Sequence, residues 1–169
     1  MINNILLTGK PGIGKTTTIK LIVGQLETKE VAGFWSQEIR EKGKRVGFSI
    51  ETLSGKTGIL AHVNHNTGPR VSKYHVNIDD IDSLMVPEMV SARQSDRIII
   101  IDEIAKMELF SQRFVNEVLR CLDTSRVIGT IQEQRHPVLD RIRSRDDVEL
   151  IELTVMNRDQ VPQQVIGML

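Results

Sequence analysis

Gly9-Lys10-Pro11-Gly12-Ile13-Gly14-Lys15-Thr16 has the spacing G-x-x-x-x-G-K-T and begins where the apolar run Ile5-Leu6-Leu7 ends. It is a Walker A string in the setting its chemistry requires, with a strand before it and a helix after. Glycines let the backbone fold into a shallow nest whose N–H groups converge on a phosphate. Lys15 then offers a point charge to the outer phosphates, and the Thr16 hydroxyl is a ligand for Mg2+. The ligand such a loop takes is a nucleoside triphosphate. A second constellation follows far downstream, in Ile98-Ile99-Ile100-Ile101-Asp102-Glu103. Four apolar residues bury a strand, and Asp102 emerges at its C-terminal end, the edge where ligands sit in open α/β sheets. Asp102 is expected to hold Mg2+ opposite Thr16. Glu103 is expected to orient or deprotonate the water that attacks the γ-phosphate. An isolated Asp-Glu pair would read as the acidic start of a helix; the upstream loop decides for chemistry.

Three further polar residues fall near this edge. Lys106 either returns over the site to neutralise transition-state charge or is a solvated lysine after the strand. Thr130 and Gln132 end the next strand, where each is either a γ-phosphate sensor or a turn residue.

The elements that must position these groups are legible from periodicity. Ile19, Ile22, Val23 and Leu26 mark a helix after the loop. Segments 34–39, 46–52 and 58–61 read as strands joined by polar, glycine-containing turns, forming an antiparallel, hairpin-rich insertion. Segment 71–76 adds a further strand. Pro87 starts a helix running to 95, with 81–85 leading in. Strand 97–101 is continuously aliphatic, as a central parallel strand must be. Then come helix 114–122, strand 126–130, helix 138–145, strand 148–153 and helix 159–169. Alternating strands and helices imply an α/β fold: a single RecA-like phosphate-loop NTPase domain over residues 1–169, its largely parallel sheet flanked by helices.

Bulk properties narrow the function classes. Of 169 residues, 40% are hydrophobic and 26% charged, which fits an ordinary globular chain. Lysine plus arginine equals aspartate plus glutamate at 22 each, so no global field attracts nucleic acid or anionic membrane. The longest aliphatic runs are far shorter than a membrane span. The single cysteine, Cys121, excludes an internal disulfide and fits a buried structural thiol in a reducing compartment. With no basic n-region and long apolar core at the start, a cytoplasmic location is the expectation.

Several patterns are set aside. Asn157-Arg158-Asp159 differs from a guanine-reading N-K-x-D, since its aspartate is one residue early and its lysine is missing. His62 and His65 lack the cysteines or carboxylates of a zinc site. Arg135, Arg141, Arg143 and Arg145 read as a solvated helix face, with nucleic-acid contact or an acceptor-binding lid as the alternatives. Arg40, Lys42, Lys44 and Arg45 flank a hairpin turn, where one could reach the triphosphate as an internal arginine finger. Trp35 and Phe34 read as hairpin packing, and Tyr74 as either packing or stacking.

Together these segments resemble a small bacterial, archaeal and animal nucleoside-triphosphatase family whose vertebrate member is called cancer-related NTPase. The resemblance runs through Gly9 to Thr16, Gly33-Phe34, Glu38-Ile39-Arg40, Arg45-Val46-Gly47-Phe48, Arg70-Val71-Ser72-Lys73-Tyr74 and Asn157-Arg158. Its most specific part is Asp102-Glu103-Ile104-Ala105-Lys106-Met107-Glu108-Leu109. It implies slow hydrolysis of several nucleoside triphosphates with little base preference. It carries nucleotide binding onto Gly9, Lys10, Pro11, Gly12, Ile13, Gly14, Lys15 and Thr16. It does the same for Ile99, Ile100, Ile101, Asp102, Glu103, Ile104, Ala105 and Lys106. Ala105 and Ser72 stand where the family commonly has glycine.

The expected activity is therefore Mg2+-dependent release of phosphate from ATP, GTP and their pyrimidine counterparts, with Glu103, Lys15 and Lys106 as catalytic groups. The rival readings are a small kinase and a nucleotide-dependent switch or RNA-associated protein. Nothing in the residues identifies a protein partner.

Overall fold

The computed structural model describes residues 3–124 and 126–169. Its strands are β1 Asn4–Thr8, β2 Val31–Glu41, β3 Lys44–Thr52, β4 Thr57–His62, β5 Arg70–Val71, β6 Tyr74–Val76, β7 Ile98–Ile104, β8 Val127–Ile131 and β9 Val148–Glu152. Its helices are α1 Lys15–Val23, α2 Ile78–Asp80, α3 Val86–Gln94, α4 Gln112–Thr124, α5 Pro137–Arg143 and α6 Val161–Ile166. All strands join one sheet in the order β5-β6-β4-β3-β2-β7-β8-β1-β9.

The five strands β2, β7, β8, β1 and β9 run parallel to one another. Side chains alternate across such strands, so a strand covered on both faces needs an unbroken apolar run. Along β1, Ile5 and Leu7 enter one core with Ile100, Ile128, Ile19 and Ile22. Leu6 enters the other with Ile99, Ile101, Phe34, Phe114 and Val118. Helices α1 and α6 close the first face, and α3 and α4 the second.

The expected antiparallel insertion is present as a continuation of the same sheet. Strand β2 pairs in parallel with β7 from Val31↔Ile98 to Trp35↔Asp102, then runs on to Glu41 against β3. It therefore projects beyond the residue of β7 that carries the first carboxylate. At the tip, Lys42 and Gly43 both have positive φ, 48° and 75°, as a tight hairpin of right-twisted strands requires.

Three expectations need correction. The strand expected over 71–76 is two short strands, because Ser72 has φ 55° and turns the chain back on itself. That backbone conformation is the physical reason a glycine suits this position. The helical region before Pro87 also starts earlier than expected. Asn77 caps it by accepting from the Asp80 N–H at 3.1 Å, and α2 continues through a π-helical turn, Ile81–Met85, into α3. The last helix is shorter than 159–169, with Pro162 in its first turn.

Candidate active site

The loop leaving β1 is built on glycine backbone that other residues rarely adopt. Gly9, Gly12 and Gly14 have φ of 144°, 79° and 112°. A Cβ on Gly9 would lie 2.8 Å from the Leu153 carbonyl oxygen, so the loop is pressed against the chain leaving β9. Gly14 stands at the N-cap of α1 with no side-chain cap, which leaves the first-turn N–H groups available for an anion. Lys15 is buried and donates from Nζ to the Gly9 carbonyl at 2.8 Å and the Lys10 carbonyl at 3.4 Å. Thr16 donates from Oγ1 to Asp102 Oδ2 at 2.7 Å.

Opposite this loop, Ile99, Ile100, Ile101 and Ile104 of β7 are fully buried in the two cores. Their side chains fix the strand. Register with β8 slips at its end: Ile101 faces Gly129 and Ile104 faces Ile131, so Asp102 and Glu103 share the span of Thr130 alone. Such a bulge re-aims side chains that a regular pleat would send to opposite faces. Here both carboxylates lie within the field of Lys15. The Asp102–Glu103 peptide is cis.

Asp102 is 1% exposed, and its second oxygen accepts from Thr130 Oγ1 at 2.6 Å. Burial pushes its carboxyl upward, opposed by the Thr130 and Thr16 hydroxyls and by Lys15. Burial also raises Glu103, to about 7; Lys15 pulls it down and Asp102 pushes it further up. A third acid, Glu108, has no assigned role from sequence. It is buried, one of its oxygens has no hydrogen-bond partner, and its carboxyl is pushed up to about 8 by burial and then by Glu103. Its flanking residues Met107 and Leu109, both packed on the core, were the available signal of burial.

Thr130 and Gln132 resolve into different tasks. The Thr130 hydroxyl serves Asp102, whereas Gln132 Oε1 accepts from the Lys106 N–H at 3.1 Å. Lys106 itself is exposed at the rim, and Ala105 precedes it in the turn after β7. Gln132 is braced in turn by Arg143, which donates to the Gln132 carbonyl and, at 3.0 Å, to that of Gln134.

Thr16 and Asp102 offer hard oxygen donors in direct contact. Among the described residues no group of three or more His, Cys, Asp or Glu gathers to cage a metal. That set suits Mg2+, which takes one or two protein oxygens and fills its remaining positions with water and phosphate oxygens.

Five of the arginines considered as fingers or lids, Arg40, Arg45, Arg135, Arg143 and Arg145, have other partners. Glu38 accepts from Arg45 at 2.9 Å and from Arg40 at 2.9 Å. Arg135 and Arg143 pair with Asp140, and Arg145 with Asp123 and Asp147. Tyr74 accepts from Arg45 and meets Phe48 edge-on, with centroids 5.3 Å apart. Phe34 is in the core, and Cys121 is buried with its thiol pushed up to about 12, as a structural thiol would be. His62 Nδ1 accepts from the Asn64 N–H.

Three adjacent strands, β1, β8 and β7, thus deliver the glycine loop, Thr130 and the acidic pair to one edge of a parallel sheet. This is a phosphate-loop NTPase fold. The particular family follows from a model described as NTPase, which matches residues 4–166; the chain belongs to that family. It is 43% identical over 166 residues to the nucleoside-triphosphatase THEP1 of Thermotoga petrophila, covering 98% of this chain and 92% of that one. It is 36% identical over 182 residues to the human cancer-related nucleoside-triphosphatase, covering 98% and 96%. The crystal structure of THEP1 from Aquifex aeolicus superposes with a TM-score of 0.91 at 36% identity, covering 98% of each chain. The solution structure of the human relative superposes with a TM-score of 0.83 at 35% identity, over 98% of this chain and 96% of that one. Among the described residues, no helix is long and apolar enough to cross a membrane.

Proposed function

We propose that residues 1–169 act as one cytoplasmic domain that hydrolyses the γ-phosphate of ATP, GTP, CTP and UTP, slowly and with little regard to base. The observation that carries this reading is the contact chain Thr16–Asp102–Thr130 with Glu103 beside it in the field of Lys15. Lys15 exchanges the carbonyls of Gly9 and Lys10 for the β- and γ-phosphate oxygens, while free backbone N–H groups of the loop and of the first turn of α1 bind the phosphates from the other side. Thr16 and Asp102 are the residues that would hold Mg2+, which would neutralise charge on the phosphates. Glu103 accepts the proton of the attacking water. The water oxygen bonds to the γ-phosphorus as the bond to the bridging oxygen breaks, giving inorganic phosphate and the diphosphate. A carboxyl raised to about 7 is matched to proton acceptance near neutral pH. Lys106, with its backbone held by Gln132, adds positive charge at the rim. The engagement of Arg40, Arg45 and Arg143 with other partners supports low turnover, since none stands ready as an arginine finger.

The test is release of inorganic phosphate from the four nucleotides with Mg2+, comparing the parent with Glu103→Gln. The expected loss is about 10²- to 10⁴-fold on every nucleotide, with nucleotide binding retained. Equal rates in both proteins would remove Glu103 from the chemistry.

A further inference from the structure

The two most exposed large apolar side chains among the described residues are neighbours: Val155, 67% exposed, and Met156, 87% exposed. They do not lie on a loose tail. Asn157 staples their turn at both ends, accepting from the Thr154 N–H at 2.8 Å and donating from Nδ2 to the Glu152 carbonyl at 2.8 Å. The Arg158 N–H closes the same turn on the Thr154 carbonyl at 3.0 Å. Held apolar surface in water is unfavourable unless something covers it.

The turn is also fastened to the phosphate loop. The Leu153 N–H donates to the Thr8 carbonyl at 2.8 Å, and the Leu153 carbonyl meets Gly9 closely enough to exclude a side chain there. Beyond the turn, Arg158 Nη1 donates to the Ile13 carbonyl at 3.3 Å. The apolar pair is therefore bracketed by two contacts with the loop that takes the triphosphate. Two side chains are too small a patch for a protein interface, but they match the face of one heteroaromatic ring.

We propose that Val155 and Met156 are the platform on which the nucleobase of the bound triphosphate rests. The inference builds on the phosphate-loop reading above and adds the subsite that reading lacks. It also gives indifference to base a physical cause. Both platform side chains lack hydrogen-bonding groups that read base edges, and the one amide in the turn, Asn157, has both its polar ends engaged in the backbone. Every base has a face to cover such a surface, and none is rejected by an unpaired polar group.

The experiment uses the full chain with Val155→Ser/Met156→Ser, and Val155→Ile/Met156→Leu as the conservative control. KM is measured for ATP, GTP, CTP and UTP, alongside inhibition by inorganic tripolyphosphate, which has the phosphates and no base. The expected result is a KM rise on the order of tenfold for all four nucleotides, with kcat and tripolyphosphate inhibition unchanged and the conservative variant near the parent. Unchanged KM values would overturn the proposal. So would a rise confined to one base, which would mean specific reading. An equal weakening of tripolyphosphate would overturn it too, by making the turn a support for the loop. If instead tripolyphosphate fails to inhibit the parent at all, the phosphate-loop reading fails first.

Discussion

On the antiparallel side of the sheet, Glu38 lies on an exposed stretch of β2 between two guanidiniums, and hydrogen bonds from Arg45 and Arg40 hold its carboxyl below the usual range. On the parallel side, Glu103 is half-buried and Glu108 buried, and no salt bridge compensates either among the described residues; they are pushed up to about 7 and about 8. The same chemical group is driven in opposite directions within one sheet. The outer half of β2 and the facing end of β3 keep charge in water and neutralise it locally. The end of β7 and the turn after it take carboxyls out of water and leave them short of partners, which is the condition under which a carboxylate becomes useful as an acid or base at neutral pH.

That contrast predicts a graded series of variant effects. The largest belongs to Lys15→Ala, which removes the one cation serving both Asp102 and Glu103. Phosphate release should fall by about 10³-fold, on the scale of losing a preorganised charge partner, and an undiminished rate would dissolve the distinction between the two sides. Next is Glu108→Gln, read by urea unfolding at about pH 5.5 and about pH 8.5. The folded-state value near 8 exceeds the ordinary 4.5, so the parent is most stable when this acid is protonated in both states. Its stability drains as pH rises from about 4.5 to about 8. Relative to the glutamine variant, the parent should lose about 3 kcal/mol between the two conditions, and parallel curves would mean that Glu108 ionises freely.

Thr130→Val should cost about 2 kcal/mol of stability, because a buried Asp102 oxygen loses its donor, and should lower phosphate release as well. The smallest effect is expected from Glu38→Gln. Exposed pairs contribute about 0–1 kcal/mol, so melting and hydrolysis should both stay near the parent, and a large drop in either would move β2's outer half into the working part of the molecule.

How much of this was legible in the sequence follows from the range of the interactions concerned. The phosphate loop is local: its glycines, lysine and threonine sit within eight positions, and the flanking strand and helix announce themselves by apolar spacing. The end of β7 was readable for the same reason. The partnership of Thr130 with Asp102 joins residues 28 apart, and a hydroxyl at a strand end reads equally well as a turn former. Glu108 was hidden because a lone glutamate between Met107 and Leu109 gives no sign of how completely its oxygens are buried. The break in 71–76 depended on one left-handed residue, Ser72, whose side chain is ordinary in a strand. The start of the helix at Asn77 had a local signal, an amide cap followed by Asp79 and Asp80, that the apolar pattern overshadowed.

Strand β2 places the chain's only tryptophan, Trp35, directly beside Asp102 in register. Its indole donates to Glu51 at 2.9 Å, and the Lys20 ammonium, on the helix that follows the phosphate loop, lies 4.8 Å from the ring centroid. All tryptophan emission from this protein therefore originates one strand away from the acidic pair, under a charge carried by α1. The chain has a built-in optical gauge of that neighbourhood, in which the loop's engagement can be followed in solution without attaching a dye.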